Sequence, residues 1–184
     1  MGEQKDRMLR GEWYLDDPEL VADRKRCWRV LDRFNATGAD DDAERRRLLE
    51  SLFAEFGPGA CVLPRFLCSY GSQISIGANS FVNNDALFMD DAAISIGEDV
   101  RIGPRAQFLT ALHPLEEHER RRAGWERPEP ITIGDNAWLG GGVIVCPGVS
   151  IGADAVVGAG SVVVRDVPER VFAAGNAARV IRQL

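Results

Sequence analysis

The sequence predicts a mainly β protein, a parallel β-helix of six-residue repeats, because aliphatic side chains recur at every sixth position. The clearest run is Ile133, Leu139, Val145, Ile151, Val157 and Val163, and glycine follows four of these residues, at Gly134, Gly140, Gly152 and Gly158. A six-residue period indicates stacked β-helix coils, whereas the apolar face of an α-helix repeats at about 3.6 residues. Three six-residue sides make one coil, so residues 133–150 and 151–168 are predicted to form two successive coils.

The same period recurs upstream with two interruptions. Two more sets of apolar residues are spaced six apart: Ile76, Val82 and Phe88, then Ile96, Ile102 and Phe108. The step from Phe88 to Ile96 is eight, and the period is lost between Phe108 and Ile133. Because insertions in repeat proteins project from one face, which is often the binding face, we expect residues 113–130 to form a projecting loop.

The two ends of the chain lie outside the repeats. Residues 1–59 are predicted to form a small helical unit packed on the solenoid of residues 60–184. Asp17 followed by Pro18 is typical of a helix start, and residues 40–56 predict a further helix. Residues 169–184 are expected to cap the solenoid, because the end of a solenoid has to be covered.

Composition excludes several classes of partner. The formal net charge is −6, which argues against nucleic acid, because phosphate binding favours a basic surface. The sequence has no apolar run long enough for a membrane span and no apolar signal core at its start, so we expect a cytoplasmic protein. The four cysteines show no CxxC spacing, which favours reduced, mostly buried thiols over a zinc site.

One histidine stands where the repeat breaks. His113 is one of two histidines in the chain and is followed by Pro114. A neutral imidazole near pH 7 is the usual general base for a hydroxyl, but a loop histidine can also have no role. The residues alone leave both interpretations open. His118 lies among charged residues and is expected to be exposed.

Other polar residues are weaker candidates. Asn83 and Asp91 occupy positions where the repeat favours small residues, so they either form turns, which is the commoner case, or contact a ligand. Arg165, Arg179 and Arg182 lie near the C-terminal end, and guanidinium groups suit phosphate, although scattered arginines are usually just solvated.

Together these residues resemble those of the hexapeptide-repeat O-acetyltransferases, in particular the maltose, galactoside and nodulation-factor branch. The resemblance rests on the repeats, on Asn83, on the His113-Pro114 step and on the segment 131–140 with Trp138. It extends to the helical unit, through Met8, Gly11, Tyr14, Asp16, Arg24 and Phe34-Asn35. The resemblance implies a left-handed parallel β-helix that assembles as a homotrimer. It also implies transfer of acetyl from acetyl-CoA to a sugar hydroxyl, with no metal, at sites between subunits.

The resemblance also implies roles for individual residues. By similarity, His113 is the general base. The acceptor pocket matches Asp16, Arg24, Ser69, Asn83 and Asp91. The acetyl-CoA side matches Trp138, Gly141, Ala159, Arg165, Arg179 and Arg182. A main-chain N–H near Gly141 is expected to stabilise the oxyanion, and Arg179 and Arg182 are expected to meet phosphate groups.

Some positions depart from the family pattern. Ser69 stands where maltose-type proteins usually have Asp and resembles the galactoside type, Val164 replaces a usual Thr, and Trp125 has no match. The acceptor is therefore expected to be a maltose-, glucose- or galactoside-like sugar. N-acetylation of an amino sugar or an antibiotic and a non-catalytic trimeric scaffold stay open as alternatives. A γ-type carbonic anhydrase does not fit, because it needs three zinc-binding histidines.

Overall fold

The computed structural model describes residues 2–184, and the N-terminal part of the chain is helical. Its helices are α1 (Glu3–Leu9), α2 (Pro18–Asn35) and α3 (Asp42–Leu52). As predicted, Pro18 opens a helix, and Asp17 Oδ1 caps it by accepting a hydrogen bond from Leu20 N at 2.8 Å. The buried face of α2 consists of Leu20, Cys27, Leu31 and Phe34.

The helix predicted over residues 40–56 is wrong in its last four residues. α3 ends at Leu52, because Phe53 takes an extended conformation with φ −82° and ψ 155°. Glu55–Phe56 then forms β1, which pairs in parallel with β4 (Ile74–Ile76). The solenoid therefore starts before residue 60, and its first coil accounts for the apolar residues that suggested a longer helix.

The rest of the chain winds into a parallel β-solenoid of about six turns, which confirms the predicted hexapeptide-repeat fold. Sheet A contains β1, β4, β7 (Ile94–Ile96), β12 (Ile131–Ile133) and β15 (Ser150–Ile151). Sheet B contains β2 (Cys61–Val62), β5 (Phe81–Val82), β8 (Arg101–Ile102), β13 (Trp138–Leu139), β16 (Val156–Val157), β18 (Val171–Ala174) and β19 (Arg179–Gln183). Sheet C contains β3 (Phe66–Cys68), β6 (Ala86–Met89), β9 (Gln107–Leu109), β14 (Ile144–Val145) and β17 (Val162–Val163).

The chain runs from sheet A to B to C and back to A, so each coil has an A–B, a B–C and a C–A corner. The C–A corner varies most in length. Ser75 pairs with Ser95, twenty positions later, whereas Thr132 pairs with Ser150, eighteen positions later. The two additional residues of the earlier coil fall between Phe88 and β7, so they explain the step of eight in the repeat.

The core is a set of side-chain stacks that run from coil to coil. The six aliphatic residues of the clearest repeat are all at most 1% exposed. Phe66, Phe88 and Phe108 stack in successive coils, with ring centroids 5.2 and 4.3 Å apart. Of the four free cysteines only Cys27 and Cys68 are fully buried, so the expectation of mostly buried thiols holds for two.

Residues 110–130 leave the stack at the third C–A corner. β10 (Ala111–Leu112) and β11 (Arg127–Pro128) pair antiparallel, and α4 (His118–Arg122) lies between them. The stack itself continues across this segment, because Ile131 pairs directly with Ile94. At the C-terminus, β19 folds back antiparallel on β18. No helix within residues 2–184 is both long enough and apolar enough to cross a bilayer.

Candidate active site

His113 follows β10 at the point where the insertion leaves the stack, and its side chain is 52% exposed. Its Nδ1 lies 3.0 Å from the carbonyl oxygen of Trp125. A carbonyl oxygen only accepts, so this contact places the proton on Nδ1 and leaves Nε2 free to accept one. Nε2 lies 3.7 Å from Glu126 Oε1, which is within ion-pair range once the ring is protonated. The geometry therefore suits proton abstraction by Nε2.

Asp91 lies at the C–A corner of the second coil and is 5% exposed. Tyr14 OH lies 3.1 Å from its Oδ1, and Ser69 Oγ lies 3.5 Å from its Oδ2. Its backbone N–H donates to Thr110 Oγ1 at 3.0 Å. Burial raises the pKa of the Asp91 carboxyl, and the hydrogen bond from Tyr14 opposes that shift.

Arg24 of α2 reaches the same corner. Its Nη1 donates to Tyr70 OH at 2.7 Å, and its Nη2 pairs with Asp16. Tyr70 directly follows Ser69, so the arginine links the helical unit to the corner. Asp16 is half exposed and offers carboxylate oxygens at the outer edge.

The C–A corner thus brings together five predicted site residues, which are His113, Asp16, Arg24, Ser69 and Asp91. It also contains three residues that sequence reasoning did not assign to the site, Tyr14, Tyr70 and Glu126. Tyr14 OH lies 2.7 Å from Glu126 Oε2, which joins the N-terminal segment to the insertion. Tyr14 and Tyr70 are the only tyrosines in the chain, and both are buried here. The small number of tyrosines in the sequence could have drawn attention to these two residues, whereas the six-residue period does not identify them.

Asn83 is not part of this group. It follows β5 at the B–C corner, where its N–H donates to Ile102 O at 3.0 Å and its Oδ1 accepts from Asn84 N at 2.8 Å. Neither Asn83 nor Asp91 has the positive φ of a left-handed turn, whereas Asp85 does (φ 61°). Because common turns also have negative φ values, this difference does not separate turn-formers from ligand contacts, and both interpretations of Asn83 and Asp91 stay open.

Most residues predicted for the acetyl-CoA side lie on sheet B or at the B–C corner, and not at the C–A corner with His113. Gly141 and Ala159 belong to later turns of the B–C corner, where Gly160 N donates to Gly141 O at 2.9 Å. Trp138 is 57% exposed on sheet B, and Arg179 and Arg182 are exposed on β19. Only Arg165 lies at the C–A corner, after β17.

Two further observations concern metal ligands and the second histidine. In the part of the chain that the structure describes, no group of His, Cys, Asp and Glu residues is arranged to hold a metal ion. His118 is exposed, as expected, and its Nδ1 lies 2.9 Å from Arg121 Nη2.

Comparison with known proteins agrees with the fold and with the helical unit. The model of the maltose acetyltransferase hexapeptide capping motif matches residues 7–57, and that of the bacterial transferase hexapeptide (six repeats) matches residues 130–165. Nodulation protein L of Rhizobium meliloti is 45% identical over 96% of this chain and 97% of its own length. Galactoside O-acetyltransferase of Escherichia coli is 38% identical over 97% of this chain and 88% of its own length.

Solved structures are similar over nearly the whole chain. A maltose O-acetyltransferase from Clostridium difficile 630 superimposes with a TM-score of 0.96 at 41% identity, covering 98% of this chain and 97% of that one. A hexapeptide-repeat acetyltransferase from Vibrio cholerae, complexed with acetyl coenzyme A, gives a TM-score of 0.91 at 40% identity and covers 100% and 99%. By fold, repeat and relatives, this chain belongs to the hexapeptide-repeat acetyltransferase family.

Proposed function

We propose that this protein transfers an acetyl group from acetyl-CoA to a hydroxyl of a sugar, with His113 as the general base. The observation that carries the proposal is the 3.0 Å contact of His113 Nδ1 with the Trp125 carbonyl, which leaves Nε2 as a proton acceptor. The polar groups of Asp16, Arg24, Ser69 and Asp91 beside it suit the hydroxyls of a maltose-, glucose- or galactoside-like acceptor. Because acetyl-CoA is used inside cells, we place the reaction in the cytoplasm.

The proposed chemistry is a direct transfer. His113 Nε2 takes the proton of the acceptor hydroxyl while the hydroxyl oxygen attacks the thioester carbonyl carbon. The tetrahedral oxyanion collapses, the carbon–sulfur bond breaks, and the imidazolium returns its proton to the thiolate of CoA. This scheme uses neither a metal nor a covalent acetyl-enzyme.

The donor side of the proposal rests on the B–C corner and on sheet B. Within residues 2–184 the Gly141 N–H has no hydrogen-bond acceptor, so it is available to an oxyanion. Arg179 and Arg182 donate only to nearby backbone carbonyls, which leaves their guanidinium groups available for CoA phosphates. Trp138 and Ala159 offer exposed surface to the rest of the coenzyme, and Arg165 lies across sheet C from them.

The separation of the two corners supports a homotrimer with sites between subunits. His113 lies at the C–A corner and Asn83 at the B–C corner, and sheet C lies between them. The outward row of sheet C is apolar at four of its five positions, and Leu67 is 55% exposed in the single chain. The row consists of Leu67, Leu87, Gln107, Ile144 and Val162. An apolar face of this kind favours burial against copies of the same chain. With sheet C facing a threefold axis, the C–A corner of one copy would meet the B–C corner of its neighbour.

The test is CoA release from acetyl-CoA across a panel of glucose, maltose, galactosides, glucosamine and chitin oligomers. We expect sugar-dependent release by the wild type and a loss of about 10²- to 10⁴-fold in kcat for His113→Ala. His118→Ala is the matched control, because it removes the other histidine of the chain and should change nothing. Full activity in His113→Ala would contradict the proposed role of the base.

A further inference from the structure

Two residues far apart in the chain, Tyr14 and Glu126, make three hydrogen bonds to each other. Tyr14 N donates to Glu126 O at 2.8 Å, and Glu126 N donates to Tyr14 O at 3.0 Å. The third joins Tyr14 OH to Glu126 Oε2 at 2.7 Å. Tyr14 is 1% exposed, so this pairing holds both backbone and side chain of Glu126 against the helical unit.

The same short segment faces both ring nitrogens of His113. Trp125 O lies 3.0 Å from Nδ1, and Glu126 Oε1 lies 3.7 Å from Nε2. Because Trp125 and Glu126 are consecutive, the pairing with Tyr14 fixes the position of both contacts. The imidazole is therefore positioned by a segment that the N-terminal unit holds in place.

The Glu126 carboxylate has no arginine partner among the described residues, although arginines are nearby. Arg127 pairs with Glu129, and Arg120 pairs with Glu117 while its guanidinium stacks on Trp125 at 4.9 Å from the ring centroid. Within residues 2–184, the side chains in hydrogen-bond or ion-pair contact with Glu126 are those of Tyr14 and His113. The half-buried Glu126 carboxylate, which is not paired with Arg120 or Arg127, therefore directs its contacts to Tyr14 and His113.

We propose that Glu126, held by Tyr14, is a positioning residue that orients His113 and stabilises the imidazolium formed when His113 takes the acceptor proton. This inference rests on the proposed function, because it concerns the same base. In the reaction, the new N–H on Nε2 forms beside the Glu126 carboxylate, so the carboxylate interacts more strongly with the transition state than with the neutral imidazole. It also gives the N-terminal unit a part in catalysis.

The test compares Glu126→Gln, Glu126→Ala and Glu126→Asp by kcat and by KM for acetyl-CoA and for the best acceptor of the panel. Glutamine keeps an oxygen that can accept a hydrogen bond from the Tyr14 hydroxyl, but it lacks the negative charge of the carboxylate. We expect Glu126→Gln and Glu126→Ala to lose about 10- to 100-fold in kcat with nearly unchanged KM for acetyl-CoA. Glu126→Asp should recover part of the loss, and Tyr14→Phe should lower kcat by a smaller factor.

Glu119→Gln is the matched control, because it neutralises a loop carboxylate that is 85% exposed and paired with Arg122. It should behave as the wild type, and thermal unfolding midpoints should show that each variant is folded. Wild-type kcat in Glu126→Gln, with a loss only in Glu126→Ala, would overturn the inference, because the hydrogen bond and not the charge would then matter. If His113→Ala is inactive, that outcome leaves the proposed function standing; if His113→Ala is active, the proposed function itself fails.

Discussion

The A–B and C–A corners of the solenoid both turn the chain from one sheet to the next, but they are built differently. At the A–B corner the backbones of successive coils are so close that a Cβ on Gly134 would lie 2.5 Å from Ala153 N. At the C–A corner of the first two coils the turns are longer, and the buried residues there are Tyr14, Tyr70, Asp90 and Asp91. The A–B corner, called the regular corner below, has no space for functional side chains. The C–A corner, called the irregular corner below, contains buried polar groups that have to form hydrogen bonds with one another.

The largest effect on stability is expected from a methyl group at the regular corner. Gly134→Ala should lower the free energy of unfolding by about 3 kcal/mol or more, because the neighbouring atoms are backbone and cannot move aside cheaply. Gly124→Ala is the matched control in the insertion: Gly124 has φ +83° with nothing within 4 Å of a built Cβ. It should cost only about 1 kcal/mol, the strain of a left-handed alanine. Equal costs in urea unfolding would mean that the two regions do not differ in packing as described.

A smaller, pH-dependent effect is expected at the irregular corner. Asp90 is fully buried, and its carboxyl accepts from Tyr70 N at 2.8 Å and from Gln73 N at 3.4 Å. Burial raises the pKa of Asp90 to about 7, although these backbone hydrogen bonds lower it. Between about pH 4 and pH 7, the Asp90 carboxyl therefore keeps its proton in the folded state but has lost it in the unfolded state. Asp90 contributes stability fully below about pH 4, and this contribution is lost as the pH rises through about 7.

The measurement is the free energy of unfolding of the wild type and Asp90→Asn at several pH values. Relative to the variant, the wild type should lose up to about 2 kcal/mol between about pH 5 and pH 7. Asp99→Asn is the control, because Asp99 is an exposed corner residue with φ 56°, which asparagine also adopts. A difference between wild type and Asp90→Asn that does not change with pH would show that Asp90 is ionised throughout.

The sequence predicted the regular part of this fold better than the irregular part, for a physical reason. The six-residue period determines which side chains face the core, so the stacked aliphatics could be assigned directly. The longer C–A corner was visible only as the step of eight after Phe88. Its pairings join residues as distant as Tyr14 and Glu126, and no local pattern predicts such a contact. The helix end at Leu52 was missed because Phe53 and Phe56 fit a helical face and an entering strand equally well.

The third corner of the solenoid, the B–C corner, carries Asn83, Gly141 and Ala159. His113 lies at the C–A corner instead. In the proposed function, both corners meet at one site and come from neighbouring copies of the chain. Asn83→Ala and His113→Ala should each be inactive alone, because every site of either variant then lacks one of its two predicted side chains.

The most direct test is to coexpress these two variants with different tags and to assay assemblies that contain both chains. In a trimer that contains both chains, only one of the three interfaces joins an intact His113 to an intact Asn83, so about one third of the sites regain both residues. We expect these mixed trimers to transfer acetyl at about that fraction of the wild-type rate. Mixed assemblies no more active than either parent would contradict it, and so would an active Asn83→Ala parent.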